Sequence, residues 1–300
     1  MKKDNLAPIV LFAYNRPDHI RKTIGALQKN ELASESELFV FSDAPKNSHS
    51  IPAVKEVRNF IKTISGFKSV HTVEREENYG LAKSIIDGVT KIINEYGKII
   101  VLEDDLVTSP YFLKYMNDAL KMYETENNVA CIHGYIFPIE GLPETFFIRG
   151  ADCWGWGTWK RAWDIFEVDG QKLLIDIEKR GLQKEVDYNN SYSYTQMLKD
   201  QIAGKNDSWA VRWYVSAFMR NMLCLYPGKS YVQNIGFDNE GTHTNTPSTT
   251  YNVVLNNQYS FSRVEPSEDL ISKQKIEYFY KSIKHTFLKK IRLKIRQLLK

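Results

Sequence analysis

Cysteine is scarce in this chain. Cys131, Cys153 and Cys224 are the only three among 300 residues, with no CxxC pair and no even count at short spacing. Neither a disulfide framework nor a zinc site is expected from them. Long hydrophobic runs are missing too, since no stretch approaches the roughly 18 apolar residues of a membrane span. Met1 to Asn5 leads straight into a strand-like segment without the apolar region or cleavage site of a signal peptide. A protein that is neither secreted nor transmembrane is expected, at home in the reducing cytoplasm. Glycine-rich phosphate loops are also lacking: no GxGxxG follows the first strand-like segment and there is no Walker A sequence, which excludes the dinucleotide fingerprint and the P-loop. Acids are absent from 281–300, where Lys281, Lys284, Lys289, Lys290, Arg292, Lys294, Arg296 and Lys300 supply eight positive charges. Without them the body holds 32 basic against 36 acidic residues, so the net charge of +4 belongs to the tail. Nucleic-acid binding by the main domain is not expected.

With 43% hydrophobic residues, the chain can bury a sizeable core. Its first half alternates strand and helix patterns. Strands are predicted at Pro8 to Tyr14, Leu38 to Phe41, Val70 to Val73 and Lys98 to Leu102. Helices are predicted at Asp18 to Gln28, Val54 to Ile64 and Leu81 to Tyr96. That alternation implies parallel strands joined by helical crossovers, an α/β fold.

The last of these strands ends in three consecutive carboxylates, Glu103, Asp104 and Asp105. The carboxyl edge of a strand is where α/β sheets place ligands. Adjacent acids repel one another when desolvated, and a divalent metal is the natural remedy; oxygen ligands of this kind suit Mg2+ or Mn2+ completed by substrate phosphates. The plainer reading is a solvated acidic turn ahead of a helix starting near Ser109 and Pro110.

The second half is less regular. Ala151 to Lys160 packs Trp154, Trp156 and Trp159 among glycines, and Trp163, Trp209 and Trp213 complete the six. Indole faces suit sugar C–H groups, although burial in a core is an equally good fate for each of them. A polar segment, Asn234 to Thr244, carries His243. From Asn245 to Ser262 the composition is that of a flexible link.

These segments together resemble the GT-A glycosyltransferases, particularly inverting nucleotide-sugar transferases related to family 2 and to N-acetylglucosaminyltransferase I, over about residues 7–244. Ile9 to Pro17 is similar to the family's opening strand, Ser42-Asp43 to its acid after the second strand, and Arg75 to Ala82 to its Asn-x-Gly-x-Ala segment. Glu103-Asp104-Asp105 is similar to its DxD-type motif. The resemblance implies a mostly parallel mixed sheet flanked by helices, with Tyr14, Asn15, Arg16, Asp43, Asn78, Lys83 and Asp104 around the nucleotide-sugar. It implies Asp105 as a ligand of Mn2+ or Mg2+, with His243 completing the shell. Asn206-Asp207-Ser208-Trp209 stands where the family writes Glu-Asp, which implies Asp207 as catalytic base although the first acid is here Asn206. Asp152 is the second candidate base and fits better as an orienting group on the acceptor side, with Trp154, Trp156 and Trp209 as further substrate-binding residues.

The activity so implied is inverting transfer from a nucleotide-sugar, a UDP-sugar foremost, to a glycan or lipid-linked saccharide, as in polysaccharide biosynthesis. A sugar-nucleotide pyrophosphorylase shares such a sheet and metal but opens on a glycine-rich loop that Tyr14-Asn15-Arg16-Pro17 lacks. A non-catalytic carbohydrate-binding protein is the reading from another class. Three segments are expected: a domain at 1–244, a linker at 245–265, and a basic helical tail at 266–300. Apolar residues recur at helical spacing from Ile283 to Leu299, so this tail suits an anionic membrane surface at the inner face of the cytoplasmic membrane, or alternatively packing on protein.

Overall fold

The structure is a computed structural model and describes residues 6–237 and 249–298, with side chains to residue 284. Four βα units open the chain: β1 (Ile9–Ala13), α1 (Pro17–Leu27), β2 (Glu37–Ser42), α2 (Ile51–Ile61), β3 (Ser69–Glu74), α3 (Gly80–Tyr96) and β4 (Lys98–Glu103), with the short β5 (Leu106–Thr108) leading to α4 (Phe112–Met122). Strand and helix positions agree with the sequence periodicity. Pro17 sits in the first turn of α1, where its missing N–H costs nothing.

The second half comprises β6 (Val129–His133), β7 (Thr145–Arg149), β8 (Trp156–Trp159), α5 (Lys160–Trp163), α6 (Gly170–Arg180), α7 (Gln183–Val186), α8 (Tyr194–Ile202), α9 (Trp209–Phe218), β9 (Leu223–Pro227), β10 (Val232–Asn234) and α10 (Leu270–Leu298). One sheet of eight strands runs β3-β2-β1-β4-β8-β6-β9-β7, and β10 pairs with β5 apart from it. The pairs β1/β2, β2/β3, β1/β4 and β6/β9 are parallel, while β8 runs antiparallel to both β4 and β6. This is the mixed α/β sheet expected of a GT-A domain.

Both faces of the sheet are covered, which is why its central strands read as unbroken apolar runs rather than alternating ones. Along β1, Val10 and Phe12 join the core under α3 and α9, whereas Ile9, Leu11 and Ala13 join the core under α1 and α4. Ile99 and Val101 of β4 go to the first core, Ile100 and Leu102 to the second. The carboxyl edges of β1, β2, β3 and β4 consequently lie side by side.

Of the segment expected as a linker, residues 249–265 pack onto the domain. Tyr251, Tyr259 and Phe261 lie against the second core, and Tyr135 Oη donates to the Tyr251 carbonyl at 2.9 Å. Tyr259 hydrogen-bonds Asp118, and the Val264 N–H donates to Tyr123 Oη at 2.9 Å. The opening turns of α10 are also part of the body: Ile276 and Tyr280 are buried, and Asn189 donates to buried Glu277 at 2.6 Å. Tyrosines drive this departure from the expected boundary, because each supplies an apolar ring and a hydroxyl able to satisfy a strap carbonyl or side chain. A composition rich in Ser, Thr and Asn does not register that gain. No helix among the described residues is long and apolar enough to cross a membrane.

Candidate active site

The strand edges bring together most of the residues singled out in the first half of the sequence. The Tyr14 N–H donates to Asp104 Oδ2 at 3.1 Å, and Thr23 Oγ1 donates to the Asp104 carbonyl at 2.7 Å. Arg16, in the turn between β1 and α1, pairs with Asp105 Oδ2 at 2.9 Å and reaches the Gly236 carbonyl at 3.4 Å. Asn15 is half-buried between them. Gly236 follows β10, and a Cβ there would fall 2.1 Å from Asp105 Oδ2. Only glycine lets that backbone lie against the carboxylate.

Glu103, Asp104 and Asp105 share too little solvent and too few counter-charges. Burial first, then the neighbouring carboxylates, raises Glu103 well above the usual range and Asp104 to about 7. Burial also raises Asp105, against the pull of Arg16 and His19. An excess of hard oxygen donors at a strand edge fits Mg2+ or Mn2+, which take one or two protein carboxylates and leave other positions to phosphate and water. Among the described residues no three His, Cys, Asp or Glu side chains converge as a closed metal cage. His243, the expected additional ligand, lies outside the described residues.

Asp43, expected beside the nucleotide, is turned to another use. Its Oδ1 accepts the Ala44 and Tyr79 N–H groups at 2.9 Å each, and its Oδ2 accepts the Gly80 N–H at 2.9 Å and Asn78 Nδ2 at 3.1 Å. A carboxylate has about four acceptor positions. All four are taken by protein donors, so Asp43 ties the end of β2 to the start of α3. Asn78 donates in addition to the Ala44 carbonyl at 2.7 Å. Arg58 of α2 reinforces the same edge by donating to the Asp43 carbonyl at 3.3 Å and the Arg75 carbonyl at 2.7 Å. Lys83 stands over the Tyr79 ring, 3.7 Å from its centroid, and Arg75 lies 4.4 Å from the same ring, a cation–π arrangement at the N-terminus of α3.

Asp207 is exposed and adjoins this edge. A methyl group on Gly80, whose φ is +69°, would stand 3.8 Å from Asp207 Oδ2. The departure at Asn206 has a local role. Asn206 Oδ1 accepts the Ser208 N–H at 3.0 Å, and Ser208 Oγ caps α9 by accepting the Val211 N–H at 3.2 Å. The loop bearing Asp207 is thereby held at a helix start without a second acid.

On the far side of β4, the turn into β8 carries Asp152. Its Oδ2 accepts the Tyr226 hydroxyl at 3.0 Å and its Oδ1 the Cys153 N–H at 2.8 Å. Burial pushes the Cys153 thiol up, as do the carboxylates of Asp152, Glu103 and Asp105. In the antiparallel register of β4 and β8, Val101 pairs with Trp156, so the end of β4 runs toward the turn that carries Asp152 and Trp154. His133, at the end of β6, accepts the Trp154 N–H on Nε2 at 3.0 Å and thereby fixes the bend presenting Asp152 and Trp154. Burial holds its imidazole below the ordinary value, in keeping with a neutral acceptor. His133 was not singled out in the sequence, although it too ends a strand.

The three expected substrate-binding tryptophans separate. Trp154 is half-buried beside Tyr135 at 4.7 Å. Trp156 and Trp209 are corrections: at 0% and 2% exposure they form, with Trp163 and Trp213, a core cluster whose centroids lie 5.2–5.8 Å apart. Trp156 lies inside β8 between β4 and β6, and Trp209 opens α9, which covers that face. Neither has a face free for sugar.

Residues 9–155 match the family model described as Glycosyl transferase family 2. No curated protein matches the chain. Among solved structures, residues 1–349 of TarS from S. aureus in complex with UDP are similar at 18% identity over 45% of this chain and 37% of that one, with a TM-score of 0.31. The mannosyltransferase PcManGT from Pyrobaculum calidifontis, in complex with GDP-Man and Mn2+, is similar at 13% identity over 44% of this chain and 35% of that one, also at 0.31. The chain thus spans little more than a third of either structure. The matched segment runs from β1 to the turn before β8 and contains the whole strand edge described above. Over residues 9–155, just under half of its length, the chain is therefore similar to the family 2 glycosyltransferases.

Proposed function

We propose that this protein is an inverting, metal-dependent glycosyltransferase that moves a sugar from a nucleotide-sugar, a UDP-sugar foremost, to a saccharide or lipid-linked saccharide hydroxyl. The observation that carries this reading is the crowded carboxylate edge of β4, with Arg16 on one side, Asp207 against the start of α3, and Asp152 beyond. Asp105 would hold the divalent cation, with His243 completing its shell, while Asp104 faces the ribose or sugar of the donor. Such a cation, when bound, neutralises charge gathering on the leaving nucleoside diphosphate. Arg16 adds a fixed positive charge beside the same position, where it also favours a diphosphate. Tyr14, Asn15 and Asn78 border the nucleotide, with Asn78 held in place by Asp43.

Inversion requires attack from the face opposite the leaving group, with a base to take the proton of the acceptor hydroxyl. Asp207 is exposed and separate from the metal carboxylates, as such a base must be. Asp152, with acceptor capacity left beyond Tyr226 and Cys153, orients an acceptor hydroxyl. For the tail at 281–300 we propose contact with an anionic membrane surface, supported by its eight positive charges, the absence of acids and its apolar helical spacing. The experiment is a screen of UDP-, GDP- and dTDP-sugars for hydrolysis with Mn2+, Mg2+ or EDTA. Hydrolysis that depends on the cation supports the reading. No binding or turnover of any donor with either metal would overturn it.

A further inference from the structure

The family 2 match ends at residue 155, yet Trp154, two residues after Asp152, packs against rings that come from later in the chain. Trp154 meets Tyr251 of the packed strap at 5.8 Å and Phe237 at 5.5 Å. Tyr251 meets Phe279 of α10 at 6.4 Å, and Phe279 stacks on Phe137 at 5.0 Å. Tyr192 stands 4.6 Å from Tyr280 and feels Tyr251, Asp152 and Cys153, which together with burial raise its hydroxyl. Trp154, Tyr251, Phe279, Phe137 and Tyr192 are all half-buried, unlike the enclosed tryptophan cluster, so the group has ring surface to offer.

We propose that these rings, with Asp152, are the acceptor-saccharide site, and that the strap and the first turns of α10 are consequently part of the catalytic apparatus. The chemistry selects the occupant. A carboxylate whose side chain is 23% exposed amid aromatic faces repels phosphate and anionic groups. Covering it with an acyl chain or apolar peptide would leave its charge desolvated, with only Tyr226 and Cys153 as hydrogen-bond partners among the described residues. A neutral pyranoside meets both demands, because its C–H face lies on the rings and a hydroxyl donates to Asp152. The antiparallel register of β4 and β8, with Val101 opposite Trp156, brings Glu103 at the end of β4 toward Trp154, so a sugar held there lies next to the donor. The inference rests on the glycosyltransferase reading and adds which residues hold the acceptor.

Saturation-transfer NMR on the full chain, with methyl glycosides of glucose, galactose and N-acetylglucosamine as probes and nucleoside diphosphate plus Mn2+ present, tests it. At least one glycoside should receive saturation from the wild type and from Tyr278→Ala, a control on the exposed face of α10. In Phe279→Leu and Tyr251→Leu, which keep apolar bulk but lose the ring face, affinity should fall about tenfold, the scale of one lost ring contact. Thermal melts of each variant establish that it is folded. Binding equal in all four proteins, or no glycoside bound by the wild type, overturns the inference. Binding of uridine, guanosine and thymidine diphosphates is measured on the same samples. If a diphosphate binds while the glycosides fail, only the acceptor assignment falls, whereas if none binds, the glycosyltransferase reading falls with it.

Discussion

Replacing Asp43 by Asn distinguishes a structural tie from a nucleotide contact. The carboxylate accepts four hydrogen bonds at 2.9–3.1 Å and is 5% exposed. An amide keeps one oxygen for two of these donors and turns an NH2 group toward the other two. Bonds to a charged acceptor contribute roughly 1.5–3 kcal/mol each, so two lost bonds cost about 3–6 kcal/mol. For a chain of this size that lowers Tm by about 6–12 °C, taking roughly 2 °C per kcal/mol. Differential scanning calorimetry without ligand reads the effect, and titration with nucleoside diphosphate at low temperature reads affinity in the fraction that remains folded. The start of α3 should also become more open to hydrogen exchange, because the Tyr79 and Gly80 amides lose their acceptor. An Asp43→Asn protein that melts with the wild type yet loses nucleotide affinity would refute the reasoning and return the carboxylate to the ligand.

Asp105→Asn should abolish the rise in Tm that Mn2+ produces in the wild type, since a neutral amide is a poor ligand for a hard cation; an undiminished rise would remove Asp105 from the metal site. The same rise should depend on pH. Burial raises Glu103 and Asp105 above their usual range and Asp104 to about 7, whereas the unfolded chain releases these protons near pH 4. Metal-free stability therefore falls as pH rises from about 4 through 7, and the Mn2+ effect grows over that window as the site deprotonates. A Mn2+ effect that is flat from pH 5 to 8 contradicts this. Asp207→Asn should lower turnover by a factor on the order of 100 or more with little change in donor affinity; if it stays active and Asp152→Asn is dead, the two roles are reversed. Truncation after Tyr280 should remove salt-sensitive binding to anionic liposomes while sparing donor hydrolysis, and equal binding by both chains would exclude a membrane role for the tail.

Local pattern alone made much of the first half legible. Unbroken apolar runs at β1, β2 and β4 require burial on two faces, helices of matching period lie between them, and the acids of β4 begin where its apolar run stops. Those signals reside within a few residues of one another, so periodicity and charge suffice to read them. What tertiary structure decided concerns partners distant in sequence. Trp154 and Trp156 are two residues apart and equally apolar, yet Trp156 is enclosed by β4, β6 and α9 while Trp154 stays half-buried. Asp43 has the residue type and strand-end position of a ligand contact, and only the arrival of Asn78, Tyr79 and Gly80 consumes its acceptors. The polar strap reads as a free linker because its stabilisation comes from Asp118, Tyr123 and Tyr135, more than a hundred residues earlier. Burial and hydrogen-bond satisfaction depend on which surfaces meet, and for these residues the chain must close on itself before that is settled.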